Sequence, residues 1–274
     1  MHFSMNEIGY ENIENIKSIT AEAEKWQFLY NAAKDYGFEG IHIKPSLYNS
    51  FNLDIDKIPE YFREFKLTCH FGRLCRIISF DEYKDLDNKL KKCFEIAIKN
   101  NFLDISIHPP NINGLNLDEK KRTLEFFHKI IKKWVTISTE CNVSLSLETH
   151  VSEGSFLFNG LNEYIGFINE YPNLGVLIDI SHNYYDKYSE EGLFNSLSSK
   201  NIKGLHISDA VQGVDIEKGT HLAIGDGNID FNKFMKLFNK IPILYGALEI
   251  KTKNEDIRKS LNRMKNIVKG SAEK

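Results

Sequence analysis

Several features that define whole classes of protein are missing from this chain of 274 residues. No stretch approaches the ~20 consecutive apolar residues of a membrane-spanning helix, so we expect no transmembrane segment. The opening residues MHFSMNEIGYENIENIK lack a basic stretch followed by an apolar one, so we expect no secretory signal peptide. Both absences predict a cytoplasmic protein with no membrane partner.

Paired cysteines are also missing. Four cysteines are scattered without a CxxC pair, which indicates reduced thiols rather than a disulfide framework: Cys69, Cys75, Cys93 and Cys141. Cys69 precedes His70 in a strand-like run. Because neighbouring strand residues point to opposite faces, we expect Cys69 to pack outward under a helix.

The chain has no interdomain linker, no glycine-rich phosphate loop and no excess of basic residues. The missing Pro/Ser/Gly linker predicts one domain over residues 1–270, with a frayed tail at 271–274. An open doubly wound sheet would carry a GxGxxG loop after its first strand, where this chain has GYENIENIK. The formal net charge of -3 gives no nonspecific grip on nucleic acid, although a local basic groove stays open.

Short apolar runs alternate with longer amphipathic stretches along the chain. Segments 83–99 and 117–140 repeat apolar residues at i, i+3 and i+4, which predicts helices. Eight runs have the character of strands: 2–8, 40–44, 66–70, 103–108, 143–148, 175–179, 202–208 and 244–250. Eight β/α units predict an α/β fold, the single-domain (β/α)8 TIM barrel, whose active sites lie at the carboxyl ends of the strands.

Potential metal ligands lie at the end of six of these eight runs or within two residues of it. His, Asp and Glu are the side chains that bind Zn²⁺ or Mn²⁺, and a barrel would deliver all six to one mouth. The residues are His70, His108, Glu148, Asp179, His206 and Glu249.

Four of these residues make a plausible ligand set for one divalent ion. Glu148, Asp179, His206 and Glu249 offer oxygen and nitrogen ligands that suit Mn²⁺, Zn²⁺, Co²⁺ or Mg²⁺ and leave positions open for substrate oxygens. A buried carboxylate without a cation is costly, which favours this interpretation over incidental ion pairs. Glu148 and Glu249 could also flank a substrate, one removing a proton and the other returning it. Nothing in the sequence indicates an organic cofactor.

Further histidines could extend the site. His70 and His108 adjoin Glu148 in strand order and could form a second metal site that shares it, or could bond substrate or pack in the core. His182 follows Asp179 by three residues and is expected in a loop. The remaining histidines are interpreted as core or surface residues: His2, His42, His128 and His150.

The segment HLAIGDGNIDF combines a histidine with a turn and a helix start. Gly225 and Gly227 are expected to adopt backbone angles closed to other residues, and Asn228 or Asp230 to cap a helix that begins near residue 231. His221 could point back into the mouth as a ligand or substrate contact. The alternative is a turn with an incidental histidine.

Taken in order, the motifs CHFGRL, SIHPP, LETHVSEG, GVLIDISHNYY, LHISDA, HLAIGDGNIDF and LEIK resemble the xylose isomerase-like barrel superfamily. That group includes sugar-phosphate isomerases and epimerases, inosose dehydratase-type enzymes and the endonuclease IV apurinic-site nucleases. The resemblance covers about residues 70–251. It implies that the four-residue set holds a shared catalytic metal, and that His182 contacts substrate or an additional metal.

Within the nuclease branch, the resemblance implies a zinc cluster that also uses four histidines: His70, His108, His182 and His221. The chain departs from that pattern in three places. Gly219 stands where the nucleases have an aspartate ligand, THVSEG follows Glu148, and the DNA-probing arginine after strand two is missing from KPSLYNS. Arg73 and Leu74 could still act as a DNA wedge.

We therefore expect a divalent-metal-dependent isomerase or epimerase that acts on a small sugar or sugar phosphate. Proton transfer would pass through a metal-stabilised enediolate, with Glu148 and Glu249 exchanging the proton and His182 orienting a hydroxyl. A substrate phosphate would need a cation such as Lys44, Arg73 or Lys251.

Two other functions are weighed against this hypothesis. One is an endonuclease IV-like zinc phosphodiesterase, an apurinic/apyrimidinic endonuclease that would take nucleic acid as its partner. The other, a barrel kept only for binding, is disfavoured because buried carboxylates without a role are destabilising. Aromatic residues near positions 184–188 could join copies into a homo-oligomer.

Overall fold

The computed structural model describes residues 1–6, 8–72, 74, 76–150 and 156–272. Its eight strands pair in parallel and in chain order, and the last pairs with the first, so the sheet closes into a barrel. The strands are β1 (His2–Met5), β2 (Gly40–Ile43), β3 (Lys66–Gly72), β4 (Asp104–Ile107), β5 (Ser144–Glu148), β6 (Gly175–Asp179), β7 (Ile202–Ile207) and β8 (Tyr245–Leu248). The predicted (β/α)8 barrel is confirmed. The largest error in a strand end is at β1, which was expected to reach residue 8 and ends at Met5.

Helices follow the strands and cover the outside of the barrel. They are α1 (Tyr10–Ser18), α2 (Glu22–Tyr36), α3 (Pro45–Ser50), α4 (Phe80–Lys99), α5 (Leu117–Cys141), α6 (Leu161–Asn169), α7 (Ile180–Tyr185), α8 (Glu190–Leu197), α9 (Ile216–Gly219), α10 (Phe231–Phe238) and α11 (Asn254–Ala272). Two short 3₁₀ turns, Ile55–Lys57 and Glu60–Glu64, precede β3. Among the described residues, every helix is too short or too polar to cross a membrane.

Capping explains where the two long amphipathic helices begin. At α4 the Ser79 hydroxyl accepts from the Glu82 backbone N–H while the Glu82 carboxylate accepts from the Ser79 N–H. Asn116 and Glu119 make the same reciprocal pair at α5. Each pair satisfies backbone donors that the first helical turn leaves open. The box at Ser79 starts α4 before residue 83, where the apolar rhythm alone predicted it.

The outward face of the sheet is apolar, as two thiols illustrate. Cys69 is buried, and its Sγ lies 3.5 Å from the Sγ of Cys93 on α4, so its predicted outward packing is confirmed. Cys69, Cys93 and Cys141 are free thiols, and Cys75 lies outside the described residues.

The predicted aromatic patch near residues 184–188 is not an exposed surface. Tyr184 and Tyr188 are partly buried and pack against the hydrophobic core. The Tyr188 hydroxyl also accepts a hydrogen bond from the Leu161 backbone N–H at 3.1 Å. These aromatics complete the packing of their own chain, so they give no support to a homo-oligomer.

The inside of the barrel is polar below its carboxyl end. The Tyr245 ring crosses this interior beside Gly204, where any Cβ would overlap the ring. The Tyr245 hydroxyl donates to Asp104 Oδ2 at 2.8 Å, and the Ser146 hydroxyl donates to Asp104 Oδ1 at 2.7 Å. Asp104 has no exposed surface, and burial raises the pKa of its carboxyl to about 6.

This raised pKa predicts a pH-dependent gain in stability from Asp104→Asn. The folded chain holds the Asp104 proton more tightly than the unfolded chain, so this residue's contribution falls as pH rises from about 4 through about 6. The amide keeps an acceptor and a donor but never ionises. We expect the variant to gain up to about 3 kcal/mol relative to the wild type between pH 4 and pH 8. Denaturant unfolding at both pH values measures this difference, and a pH-independent difference would contradict it.

Candidate metal centre

Four side chains converge at the carboxyl end of the barrel. Glu148 and Asp179 are the last residues of β5 and β6, His206 lies in β7, and Glu249 directly follows β8. One ligand atom from each lies within 4.8 Å of the others. The His206 Nδ1 atom lies 2.9 Å from Glu249 Oε2, 3.3 Å from Glu148 Oε1 and 3.8 Å from Asp179 Oδ2. The closed sheet thus brings together the four residues that the sequence predicts as one ligand set.

The electrostatics of this group are dominated by three buried carboxylates around one imidazole. Burial opposes charge on His206, yet the carboxylates of Glu249 and Glu148 raise its pKa well above the usual value. Burial also opposes ionisation of Glu148, but His108 and His206 hold its pKa well below the usual range. Against the same burial, Lys44 and His206 lower the pKa of Glu249. The group therefore holds concentrated negative charge with too few cations to balance it.

The donor set fits a divalent cation. Glu148 Oε2, Asp179 Oδ2 and His206 Nδ1 are buried and have no well-aligned hydrogen-bond partner among the described residues. Adjacent ligands of an ion bonded at about 2.1 Å stand roughly 3.0–3.4 Å apart, close to the two shorter separations around His206 Nδ1. These buried oxygen and nitrogen atoms are crowded together without hydrogen bonds between them, and a cation bound by all of them would satisfy them.

His70, His108 and Glu148 form a second group that could hold a cation. Glu148 Oε2 lies 2.8 Å from His108 Nε2 and 3.8 Å from His70 Nε2, and the two Nε2 atoms are 3.1 Å apart. The Ser106 hydroxyl donates to the Cys69 carbonyl, so it accepts from His70 Nδ1–H at 3.0 Å. This assigns the lone pair of His70 to Nε2, which faces Glu148. The two groups share Glu148, which is the arrangement that a bridged two-metal centre would need.

His182 and His221 meet at the mouth as a pair. Their Nε2 atoms lie 3.3 Å apart. His182 was expected in a loop but lies in the first turn of α7, where its backbone N–H donates to Asp179 Oδ1 at 2.8 Å. This cap also fixes Asp179, and its other oxygen, Oδ2, lies 3.8 Å from His206 Nδ1. Among the described residues, no third ligand joins this pair in a preformed cluster.

Position 219, where the nucleases have an aspartate ligand, has no room for a side chain beside the His182–His221 pair. A Cβ at Gly219 would lie 2.7 Å from the Val211 carbonyl oxygen and 3.0 Å from Val214 Cγ2. The backbone around it leaves no space for a side chain. This position therefore excludes an aspartate ligand unless the segment is rebuilt.

The loop that carries His221 is organised by Asp209. Asp209 Oδ2 accepts from Gly225 N–H at 2.8 Å, and Oδ1 accepts from Ile229 N–H at 3.1 Å. His221 has a φ of +58°, in the left-handed region, and its Nδ1–H donates to the Glu249 carbonyl at 3.1 Å. The left-handed backbone at His221 and the hydrogen bond from its Nδ1 together direct the imidazole ring into the mouth.

The predicted turn chemistry of this loop is partly correct. Gly225 has a φ of +102°, and Asp230 caps α10, both as expected. Gly227 is needed for a different reason, because its φ is not positive and a Cβ there would overlap Asp209 and the Ala210 backbone.

Two histidines interpreted as incidental lie in the site. His150 is 6% exposed, with its ring 5.0 Å from that of His108 and 4.4 Å from that of His182. His42 is fully buried beneath the centre, with Nε2 3.1 Å from His206 Nε2. His42 faces inward on β2, and this inward position in a strand is the signal that could have found it. His150 follows the end of β5 in a tight turn, where its backbone N–H donates to the Glu148 carbonyl at 2.8 Å.

A cavity of about 540 Å³ opens above the centre. Glu148 and Glu249 lie in its wall. The wall also contains five histidines: His70, His108, His150, His182 and His221. Polar side chains from the surrounding loops complete it: Lys44, Ser46, Asn111, Thr220 and Lys251. Lys44 Nζ bonds Glu249 Oε1 at 2.7 Å. The volume is typical of sites for small molecules.

The suggested DNA wedge gains no support. Leu74 is 1% exposed, so it cannot insert between bases without leaving the core. Arg73 lies outside the described residues.

The barrel and its mouth define a member of a known family. The sequence model of the xylose isomerase-like TIM barrel family matches residues 30–267. The chain belongs to this family, and the resemblance drawn from its motifs is confirmed. A relative in Methanocaldococcus jannaschii, the uncharacterized protein MJ1614, is 28% identical over 195 residues, covering 71% of this chain and 70% of the relative.

Solved structures share the fold over nearly the whole chain. A D-tagatose 3-epimerase-like protein has a TM-score of 0.75 at 18% identity and covers 100% of this chain and 99% of its own. An IolI protein with a bound zinc atom has a TM-score of 0.75 at 15% identity, with 99% of each chain covered. An L-ribulose 3-epimerase has a TM-score of 0.72 at 14% identity, covering 99% of this chain and 96% of its own. At these identities the likeness shows the fold.

The two ligand groups predict distinct losses of metal. Asp179→Asn weakens only the four-residue group, His70→Gln weakens only the three-residue group, and Glu148→Gln weakens both. We expect Asp179→Asn and Glu148→Gln to lose the tightly bound ion, and His70→Gln to keep it. Metal analysis after gel filtration measures this, with the exposed Asp35→Asn as control. Retention of the tight ion by Asp179→Asn would contradict the assignment.

Proposed function

We propose that this protein is a divalent-metal-dependent isomerase or epimerase that acts on a small sugar or sugar phosphate. The observation that carries the proposal is the pair of glutamates, Glu148 and Glu249, that approach one four-ligand centre from β5 and β8 at the floor of a cavity of about 540 Å³. Such a site can hold a hydroxycarbonyl compound between two carboxylates. The cytoplasm is the proposed location.

The residues have separate tasks in this reaction. A bound divalent ion would supply positive charge to stabilise an enediolate. Glu148 reaches the centre from β5 and Glu249 from the end of β8, so one would take the proton from the substrate carbon and the other would return it to the opposite face. Lys44, at 2.7 Å, keeps Glu249 oriented before substrate arrives. His182, beside His221 on the cavity wall, would orient a substrate hydroxyl.

The family relatives support the substrate class. The structures that share this fold include proteins described as a D-tagatose 3-epimerase-like protein and an L-ribulose 3-epimerase. The bound zinc of the IolI protein supports a divalent cation as cofactor. The cavity wall adds Lys251 near the mouth, a cation that a substrate phosphate would use. The choice among Mn²⁺, Zn²⁺, Co²⁺ and Mg²⁺ is left to measurement.

Solvent-deuterium exchange tests this function even while the product is unidentified. The metal-loaded protein is incubated in D2O with a panel of ketopentoses, ketohexoses and their phosphates, and NMR follows the proton next to each carbonyl. We expect at least one compound to exchange, and Glu148→Gln to reduce the rate by about 10²–10⁴-fold even when excess metal is added, because the amide cannot accept the proton and is also a weaker ligand. Glu170→Gln, an exposed residue far from the cavity, is the matched control. Full exchange in a metal-loaded Glu148→Gln variant would contradict the mechanism.

A zinc phosphodiesterase acting at abasic sites is the second candidate. One observation favours it: His70 and His108 form a second ligand group on Glu148, and paired metals suit phosphoester hydrolysis. The lack of space for a side chain at Gly219 and the burial of Leu74 oppose it.

Cleavage of DNA at an abasic site, compared between the wild type and His70→Gln, tests the phosphodiesterase candidate. We expect the wild-type protein to leave an abasic-site duplex intact in zinc, and His70→Gln to keep the sugar exchange, because the four-residue centre is untouched. Gel analysis of labelled DNA measures cleavage, with His128→Gln on the outer helix as control. Cleavage by the wild type that is lost in His70→Gln would reverse the order of the two candidates.

A further inference from the structure

The buried residue His42 spans the inside of the barrel from β2 to β7. Its side chain has no exposed surface. Nδ1 lies 2.6 Å from Thr68 Oγ1 on the adjacent β3, and Nε2 lies 3.1 Å from His206 Nε2 on β7. Both ring nitrogens of His42 thus have a partner, and one partner is a proposed metal ligand.

The direction of these hydrogen bonds follows from the orientation of His206. Its Nδ1 faces the three carboxylates, so Nδ1 must present a lone pair if it binds a cation. A neutral imidazole carries one hydrogen, which then sits on Nε2 and points at His42. His42 Nε2 must accept it. The remaining hydrogen of His42 is on Nδ1 and is donated to Thr68 Oγ1.

We propose that His42 is a positioning residue that fixes His206 as the Nε2–H tautomer, with its Nδ1 lone pair aimed at the metal centre. The inference rests on the proposed metal-dependent function. Thr68 completes the relay by holding the tautomer of His42. The order of the relay is cation site, His206, His42 and Thr68. The lone pair of His206 Nδ1 faces the cation site, and each of the two hydrogen bonds beyond it carries one hydrogen.

A competing use of the same residues is a buried cation among His42, His70 and His206, whose ring nitrogens also lie within 4.8 Å of one another. That site would contain no carboxylate. It would also require His206 to give up both ring hydrogens, since Nδ1 already faces the first centre. The hydrogen-bond relay needs neither condition, and it leaves each nitrogen of His42 satisfied.

Metal affinity of two His42 variants tests the role. His42→Leu removes the acceptor and should weaken Co²⁺ binding by roughly 10–100-fold, the usual effect of losing such an outer partner. His42→Gln keeps an acceptor oxygen and should bind within about threefold of the wild type. Competition with a chelator, followed by Co²⁺ absorption, gives the constants. Ile43→Ala, a buried change on the opposite face of β2, controls for general loosening of the strand.

A second measurement reads the tautomers directly. In zinc-loaded protein with ¹⁵N-labelled histidine, long-range ¹H–¹⁵N spectra should place the hydrogen of His206 on Nε2 and that of His42 on Nδ1. Thr68→Val, which removes only the outer acceptor, should give an intermediate loss of Co²⁺ affinity. This variant keeps the test available if His42→Leu does not fold.

The outcomes separate this inference from the proposed function. Wild-type affinity in both His42→Leu and Thr68→Val, or a hydrogen on the wrong nitrogen of His42, would overturn the positioning role and leave the proposed enzyme intact. Weak binding by His42→Leu with recovery in His42→Gln supports the role even if no sugar exchanges. A wild-type protein that binds neither Co²⁺ nor Zn²⁺ would overturn both.

Discussion

Three carboxylates buried around the imidazole of His206 are the interaction on which the rest of the site depends. Glu148, Asp179 and Glu249 lie 2.9–3.8 Å from one imidazole nitrogen, at 0–7% exposure, and their repulsion needs compensation. Lys44 neutralises only part of this charge. A divalent cation would satisfy the remainder, so the arrangement that is most costly without an ion becomes a preorganised binding site with one.

The same constraint explains why the barrel interior is polar. Aliphatic layers usually fill such barrels, but here polar groups continue below the centre. His42 and Thr68 support one proposed ligand, His206, and Ser106 supports another, His70. Second partners of this kind set which nitrogen of an imidazole is available to a metal. The fold therefore contributes orientation to the site as well as position.

The barrel and the four-residue ligand set could be predicted from the sequence, because parallel strands place their carboxyl ends together. A residue such as Glu148 is found by its place at the end of an apolar run. His42 and His150 escaped this reasoning because neither ends a strand, and a lone histidine there is usually packing. For His42, inward-facing polar residues on successive strands, including Ser106, were the available signal. The space around Gly219 depends on a loop fold that no local pattern specifies.

The closed barrel brings Glu148, Asp179, His206 and Glu249 together, and we infer that these four residues hold one divalent ion. Anomalous diffraction from crystals grown with Mn²⁺ tests it most directly. We expect a strong peak bonded to these four residues, with His206 contributing Nδ1. A map with no peak between them, or with metal only at His70 and His108, would contradict it.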